Sequence, residues 1–452
     1  MADFSARSSE ALIAITMADI AIVLVAGAVL GWLVRYVRQP PVVGEIIAGI
    51  ALGPSLLGLL PGDLPARVFP GEVRPYLAAI AHVGLLVFMF GIGWEFDKRL
   101  LRGRHRTVAA VSIASVVVPF SLAVGLAALL YDRHDSVGGT RIPFTAFALF
   151  MGAAMSITAF PVLARILTEH RMTGTRVGAL ALASAAIDDV LAWCLLALVA
   201  ALVTASGGSG DFARTAVLSV LYIAAMLLVV RPLLAFLVRR WVRDRMPPQF
   251  VVVLVAGLFL SSYVTTWIGI HAIFGAFAFG FVMPREPRGV LGEGVERPFG
   301  GMSLVLLPVF FVVTGLNVDI GALSGRDLLE LAAIIAVASA GKLIGASVTG
   351  RLAGLPWREA GTLGILMNTR GLTELIILNA GVSLGVLDGR MFTMMVVMAL
   401  FTTVLTGPFL PKAPVRVDRA GSRARPREPD VLPVRVLNAR PSPAPRAPGP
   451  RP

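Results

Sequence analysis

The sequence predicts an all-α polytopic membrane protein with about thirteen transmembrane helices. Three observations carry that prediction. Hydrophobic residues make up 56% of the 452-residue chain and charged residues only 15%, with a mean hydropathy of +0.81; a soluble domain is about a quarter charged. Apolar runs of about 20 residues, the length that crosses a bilayer, alternate with short clusters of Arg, Asp and Gly. The basic residues between those runs also alternate in number, as an odd count of crossings requires.

The runs centre near Val23, Ile50, Leu86, Val118, Ala154, Asp189, Met226, Leu258, Phe277, Leu306, Ala338, Glu374 and Met398. The division between the eighth and ninth, at 265–270, is the least distinct. With the N-terminus outside, inner loops hold eighteen Lys or Arg residues and outer segments eight. The positive-inside rule then expects the N-terminus out and the C-terminus in the cytoplasm. Residues 1–10 lack a basic n-region, so the first run reads as a retained span rather than a cleaved signal.

Residues 1–411 are therefore expected to form one membrane domain, and 412–452 a separate tail. The tail has ten basic and three acidic residues, so it supplies +7 of the net charge of +13. It is rich in Pro and has too few apolar residues to bury a core, which predicts a disordered cytoplasmic segment that touches anionic lipid. The net charge is thus no argument for nucleic acid. The single cysteine, Cys194, excludes a disulfide framework and a Cys-rich metal site; in its apolar run it reads as a small buried side chain. The five histidines lack metal-ligand spacing, although His82 or His271 suits a modulator of pH response. No phosphate-binding glycine loop and no nucleophile elbow is present. The chain reads as a non-enzyme with no cofactor, coupled to ion gradients.

Spans one to six and eight to thirteen form two sixes of opposite orientation, with span seven as connector. Inverted repeats with interrupted helices in matching positions mark a transporter's midplane site. Span five contains Ser156-Ile157-Thr158-Ala159-Phe160-Pro161, and Pro161 removes a helical hydrogen bond. Span twelve, its counterpart, contains Met367-Asn368-Thr369-Arg370-Gly371. Interrupted backbone at membrane depth is tolerated only inside protein or beside water.

Asp188 and Asp189 lie mid-span, about 20 Å deep at 1.5 Å per residue. Each charge there costs at least about 2.5 kcal/mol, and the two oppose each other. A carboxylate in that position can hold either a proton or a cation, and that competition is the elementary step of exchange. Lys342 is one of only three lysines and lies inside span eleven. Buried lysine can release its proton whereas arginine cannot, and its expected partner is Asp188 or Asp189. Arg370 and Glu374 stand at i, i+4, a pair that suits structural bracing. Glu45 in span two either lines the pathway or braces its helix. Asp19 reads as interfacial.

These segments resemble the monovalent cation:proton antiporter-2 family, including Kef-type systems, plant cation/proton exchangers and bacterial sodium/proton antiporters. The resemblance rests on Val42-Val43-Gly44-Glu45-Ile46-Ile47-Ala48-Gly49, Gly91-Ile92-Gly93-Trp94-Glu95-Phe96-Asp97, 155–167, the Asp188–Asp189 segment, Leu307-Pro308-Val309-Phe310-Phe311 and 367–375, in order across about 10–410. It implies the sodium/proton antiporter fold: thirteen spans in two inverted repeats with crossed broken helices, and a homodimer in the plasma membrane. A core of spans four to six and eleven to thirteen would move against a panel of spans one to three and eight to ten. It further implies that Asp189 carries Na⁺ or K⁺ and the proton, that Asp188 pairs with Lys342, and that Thr158 lies at the fifth-span break beside the ion. Two other readings remain open on the residues, a transporter-fold cation sensor and a gated K⁺ efflux channel.

Overall fold

The structure is a computed structural model that describes residues 9–37, 39–95, 105–170, 172, 175–204, 209–242, 246–286 and 288–410. The expected tail at 412–452 lies outside the described residues. Seventeen α-helices follow in chain order: α1 Ser9–Tyr36, α2 Pro41–Leu52, α3 Leu64–Val68, α4 Arg74–Glu95, α5 His105–Leu130, α6 Phe144–Ser156, α7 Phe160–Glu169, α8 Arg176–Thr204 and α9 Ser209–Ala225. The others are α10 Arg231–Trp241, α11 Pro248–Ile268, α12 Ala272–Val282, α13 Arg288–Leu316, α14 Gly325–Leu352, α15 Trp357–Met367, α16 Leu372–Ser383 and α17 Gly389–Phe409. One short hairpin pairs Ser136–Val137 with Thr140–Arg141.

Helix dominates because a chain in lipid must satisfy its backbone polar groups within each segment. Among the described residues ten helical segments are long and apolar enough to cross a membrane, and three more apolar helices, Phe144–Ser156, Ala272–Val282 and Thr373–Ser383, are shorter. The expected count of thirteen full spans is therefore not reached by length alone. Two of the short helices are halves of interrupted spans. The third, α12, is separated from α11 only by Gly269, at φ 99°, and two further residues.

The helices pack in two groups. In one, α2 lies against α1 and α13, and α4 against α12 and α13, with α11 beside α12. In the other, α5 packs on α14, α6 and α8, while α14 also meets α15 and α17. Small residues permit the close approaches, as is usual where lipid gives no hydrophobic drive to association. A Cβ on Gly49 of α2 would lie 2.1 Å from the Val312 carbonyl oxygen, and one on Gly315 of α13 would lie 2.4 Å from that of Ile46. In the second group, a Cβ on Gly341 of α14 would meet Pro119 Cα of α5 at 2.6 Å. That contact brings the next residue, Lys342, fully buried, to the α5–α8 side.

Two side chains depart from the sequence expectation. Cys194 is exposed on the bundle surface rather than buried, a place where a small apolar side chain is equally at home in lipid. Asp19 is 2% exposed, well inside α1, rather than interfacial, and among the described residues its Oδ2 has no hydrogen-bond partner.

Candidate functional site

The two interrupted spans meet. α6 stops at Ser156 and the chain runs extended to α7 at Phe160. Pro161 is therefore the second residue of the resumed helix, where its missing N–H has no intrahelical partner to lose. The opposing chain leaves helix after Met367 and resumes at Leu372, with Gly371 at φ 158° between. The two breaks are stitched to each other. Ala159 N donates to Thr369 O at 3.0 Å, and Thr158 Oγ1 lies 2.8 Å from Met367 O.

Arg370, in the second break, is fully buried. Its guanidinium donates to Ala154 O at 3.1 Å and Met155 O at 2.6 Å, carbonyls in the last turn of α6, and pairs with both carboxylate oxygens of Glu374 at 3.2 Å. A cation belongs at a helix C-terminus because the final carbonyls lack intrahelical donors. Ser156 turns its hydroxyl back to Ala153 O at 2.9 Å. Thr403 of α17 holds the Arg370 backbone, with Oγ1 2.6 Å from Arg370 O and 3.2 Å from Arg370 N. Asn368 Nδ2 reaches Ser339 of α14 at 3.5 Å. Among the described residues the buried Thr369 hydroxyl and Asn368 Oδ1 have no partner.

Asp188 and Asp189 of α8 sit beside this crossing in different surroundings. Asp188 is fully buried. Its Oδ1 accepts from Ser112 of α5 at 2.6 Å, and its Oδ2 from Ser115 at 2.9 Å, Thr158 at 3.0 Å and Lys342 at 3.2 Å. Lys342 also donates to Thr158 at 2.7 Å. Of the two expected partners, the lysine takes Asp188.

Asp189 has a different set of neighbours. Its neighbours are the Thr373 hydroxyl, in the first turn of α16, and the backbone of Phe160, the first residue of α7. Both half-helix N-termini thus point towards it, and helix N-termini favour negative charge. Its Oδ1 is buried, and among the described residues it has no hydrogen-bond partner. Thr158, at the first break as expected, contacts Asp188 and Lys342. Glu45 is half-buried on α2, with its Cγ against Gly27 and Gly31 of α1. A small apolar cleft lined by Val42, Val43 and Ile46 of α2 and by Gly371, Leu375 and Thr403 lies between α2 and the second break.

Three contributors went unread in the sequence: Ser112, Ser115 and Thr373. The spacing of the first two, i and i+3, puts both hydroxyls on one helical face, which was the available signal. A second polar cluster also went unread. Where α5 ends and α14 and α17 begin, Arg133 pairs with Glu330 and, at 2.7 Å, with Asp327. His134, 2% exposed, sits between Asp388 on one ring nitrogen and Glu330 on the other. Burial works against charge on this imidazole, but the hydrogen bonds and charges of Asp388 and Glu330 outweigh it and hold His134 above its ordinary value of 6.5. Among the described residues no group of three His, Cys, Asp or Glu is arranged to hold a metal.

Known proteins agree with this architecture. The fold matches the sodium proton antiporter MjNhaP1 of Methanocaldococcus jannaschii with a TM-score of 0.63 at 15% identity, covering 88% of this chain and 96% of that one. The Na⁺/H⁺ antiporter NhaS4 of Synechocystis is 40% identical over 402 residues, 88% of this chain and 96% of its own length. Cation/H⁺ antiporter 20 of Arabidopsis thaliana is 38% identical over 86% of this chain, and K⁺/H⁺ antiporter 1 of Saccharomyces cerevisiae 35% over 82%. The chain spans only 47% and 43% of those two proteins. The family described as sodium/hydrogen exchanger, transmembrane, matches residues 20–413; with the crossed breaks and the relatives it aligns to, the chain belongs to the sodium/hydrogen exchanger family.

Proposed function

We propose that the chain is a monovalent cation/proton antiporter in which Asp189 alternately holds a proton and Na⁺ or K⁺. One observation carries the reading: among the described residues Asp189 Oδ1 is a buried carboxylate oxygen without a hydrogen-bond partner, placed where two half-helix N-termini converge. Asp188 beside it is saturated with donors. A carboxylate with open coordination takes a proton or a weakly held cation, and the choice between them couples the two gradients. The relatives' names, Na⁺/H⁺, K⁺/H⁺ and cation/H⁺ antiporter, support the same class.

The group holding α5–α8 and α14–α17 would move as the carrier, and the group holding α1, α2, α4 and α11–α13 would be the fixed panel. The expected arrangement is a homodimer in the plasma membrane, N-terminus outside and C-terminus in the cytoplasm. Reconstituted protein with a pH-sensitive dye inside the vesicles tests the reading. Added Na⁺ or K⁺ should collapse an imposed proton gradient, and Asp189→Asn should abolish that response. Cation flux without proton counterflow would make the protein a channel. Cation binding without flux would make it a sensor. Wild-type exchange in Asp189→Asn would remove Asp189 as carrier.

A further inference from the structure

Asp188 and Asp189 are adjacent, yet among the described residues only Asp189 has a carboxylate oxygen without a hydrogen-bond partner. A carboxylate offers about four lone-pair sites. Asp188 lies within hydrogen-bond distance of four donor groups, Ser112, Ser115, Thr158 and Lys342, of which Thr158 shares its one proton with Met367 O at 2.8 Å. Three of them converge on Oδ2. Oδ1 is held by Ser112 at 2.6 Å, with the Ser115 hydroxyl spanning the two oxygens, 3.2 Å from Oδ1 and 2.9 Å from Oδ2. All five residues are at most 1% exposed, so no solvent competes for those lone pairs.

We infer that Ser112 and Ser115 are specificity-determining positioning residues: by occupying Oδ1 they withdraw Asp188 from cation coordination and leave a site with one carboxylate, which selects monovalent ions. The reasoning is coordination chemistry. Hard divalent cations are held by several oxygen ligands, commonly more than one carboxylate, and binding strength rises with the number of charged ligands. Two neighbouring carboxylates with open oxygens would make a divalent trap from which an ion leaves slowly. One open carboxylate, beside a second whose charge Lys342 already balances, holds a single positive charge weakly enough to release it. The inference goes beyond the antiporter reading but rests on it, since it assumes that the ion binds at Asp189.

The serines are not the only side chains that bear on the pair, and the test must keep the others intact. Lys342 of α14 and Thr158 of the first break hold Oδ2, and Arg370 and Glu374 of the second interrupted span act on Lys342. On α5 the two hydroxyls are the groups that touch Asp188.

The experiment is monovalent exchange in proteoliposomes with Ca²⁺ or Mn²⁺ titrated as inhibitor. Parent protein, Ser112→Ala/Ser115→Ala and Ser112→Thr/Ser115→Thr are compared. The alanine pair should bind the divalent ion about tenfold or more tightly, the factor that a hydrogen bond to a charged group is worth. It should also show a lower KM and a lower Vmax for the monovalent ion. The threonine pair, which keeps both hydroxyls, should return towards the parent. Adding Asp188→Asn to the alanine pair should remove the divalent inhibition, because the second carboxylate is gone.

If the alanine pair fails to fold, Ser112→Cys and Ser115→Cys replace it: they keep the side-chain size, and a thiol is a weak donor. Equal divalent inhibition in parent and variants overturns the inference, as does a fall in Vmax with unchanged KM and unchanged inhibition. A parent protein that shows no exchange overturns the antiporter reading instead, so the two failures are distinguishable.

Discussion

Replacing Arg370 with methionine tests how the crossing is held. The substitution keeps length and apolar bulk but removes three contacts: the pair with Glu374 and the donations to Ala154 O and Met155 O. Both partners of the ion pair are fully buried, and removing one member of such a pair costs about 3–5 kcal/mol, because the survivor is left uncompensated. Each orphaned carbonyl adds about 1–3 kcal/mol, though these costs overlap and do not simply add. Arg370→Met should therefore destabilise by at least about 3 kcal/mol. The double variant Arg370→Met/Glu374→Met removes both charges, so it should recover most of the pair's share while retaining the loss at the two carbonyls. Unfolding in mixed micelles titrated with SDS and followed by circular dichroism measures all three proteins. A single variant within about 1 kcal/mol of the parent, a value typical of an exposed pair, would refute the reasoning. So would a double variant no better than the single one, since the buried-charge cost would then be absent.

Other outcomes follow from the same geometry. Lys342→Met leaves Asp188 without its counter-charge and should destabilise by about 3–5 kcal/mol; a neutral result in the same unfolding assay would mean the pair at 3.2 Å contributes nothing. Gly49→Ala drives a methyl to 2.1 Å from Val312 O and should cost about 1–3 kcal/mol or more from overpacking, whereas Gly91→Ala, with nothing within 4 Å of the new methyl, serves as a near-neutral control. His134, held above 6.5, stabilises the fold fully below its unfolded value of about 6.5 and loses that contribution as pH rises through the raised value. The melting temperature of the parent should thus exceed that of His134→Gln most at acid pH, with the gap closing in alkali; a difference independent of pH would exclude the titration.

Much of this architecture was readable in advance. Apolar runs of about 20 residues bounded by arginines mark helices, because a helix satisfies its backbone within one segment and needs that length to cross lipid. The polar residues at 367–371 and the proline after Thr158 marked the interruptions, since lipid would otherwise demand an unbroken apolar helix. Asp188, Asp189 and Lys342 stood out for the same reason. What the sequence could not reveal was direction. In a soluble helix the polar face points outward, but in α1 and α8 both faces are apolar, so the inward turn of Asp19 and the outward turn of Cys194 left no periodic trace. Nor could it say which aspartate meets Lys342, because adjacent residues on a helix point about 100° apart and only the neighbouring helices decide. Ser112 and Ser115 were hidden by ordinariness, as hydroxyls are common in membrane helices. The cluster of Arg133, His134, Glu330 and Asp388 is assembled from three distant segments, and nothing local joins them.

The hydrogen bond from Ala159 to Thr369 bears on how the crossing can move. Each interruption is closed by the backbone of the other, and the guanidinium of Arg370 seals the carbonyls at the end of α6. The crossing therefore cannot part to let an ion through its centre without losing several buried hydrogen bonds at once. Beside the second break, Val42, Val43 and Ile46 of α2 face Gly371 and Leu375. The crossing is thus tied into one piece, and any movement relative to α2 carries both breaks together across that apolar wall.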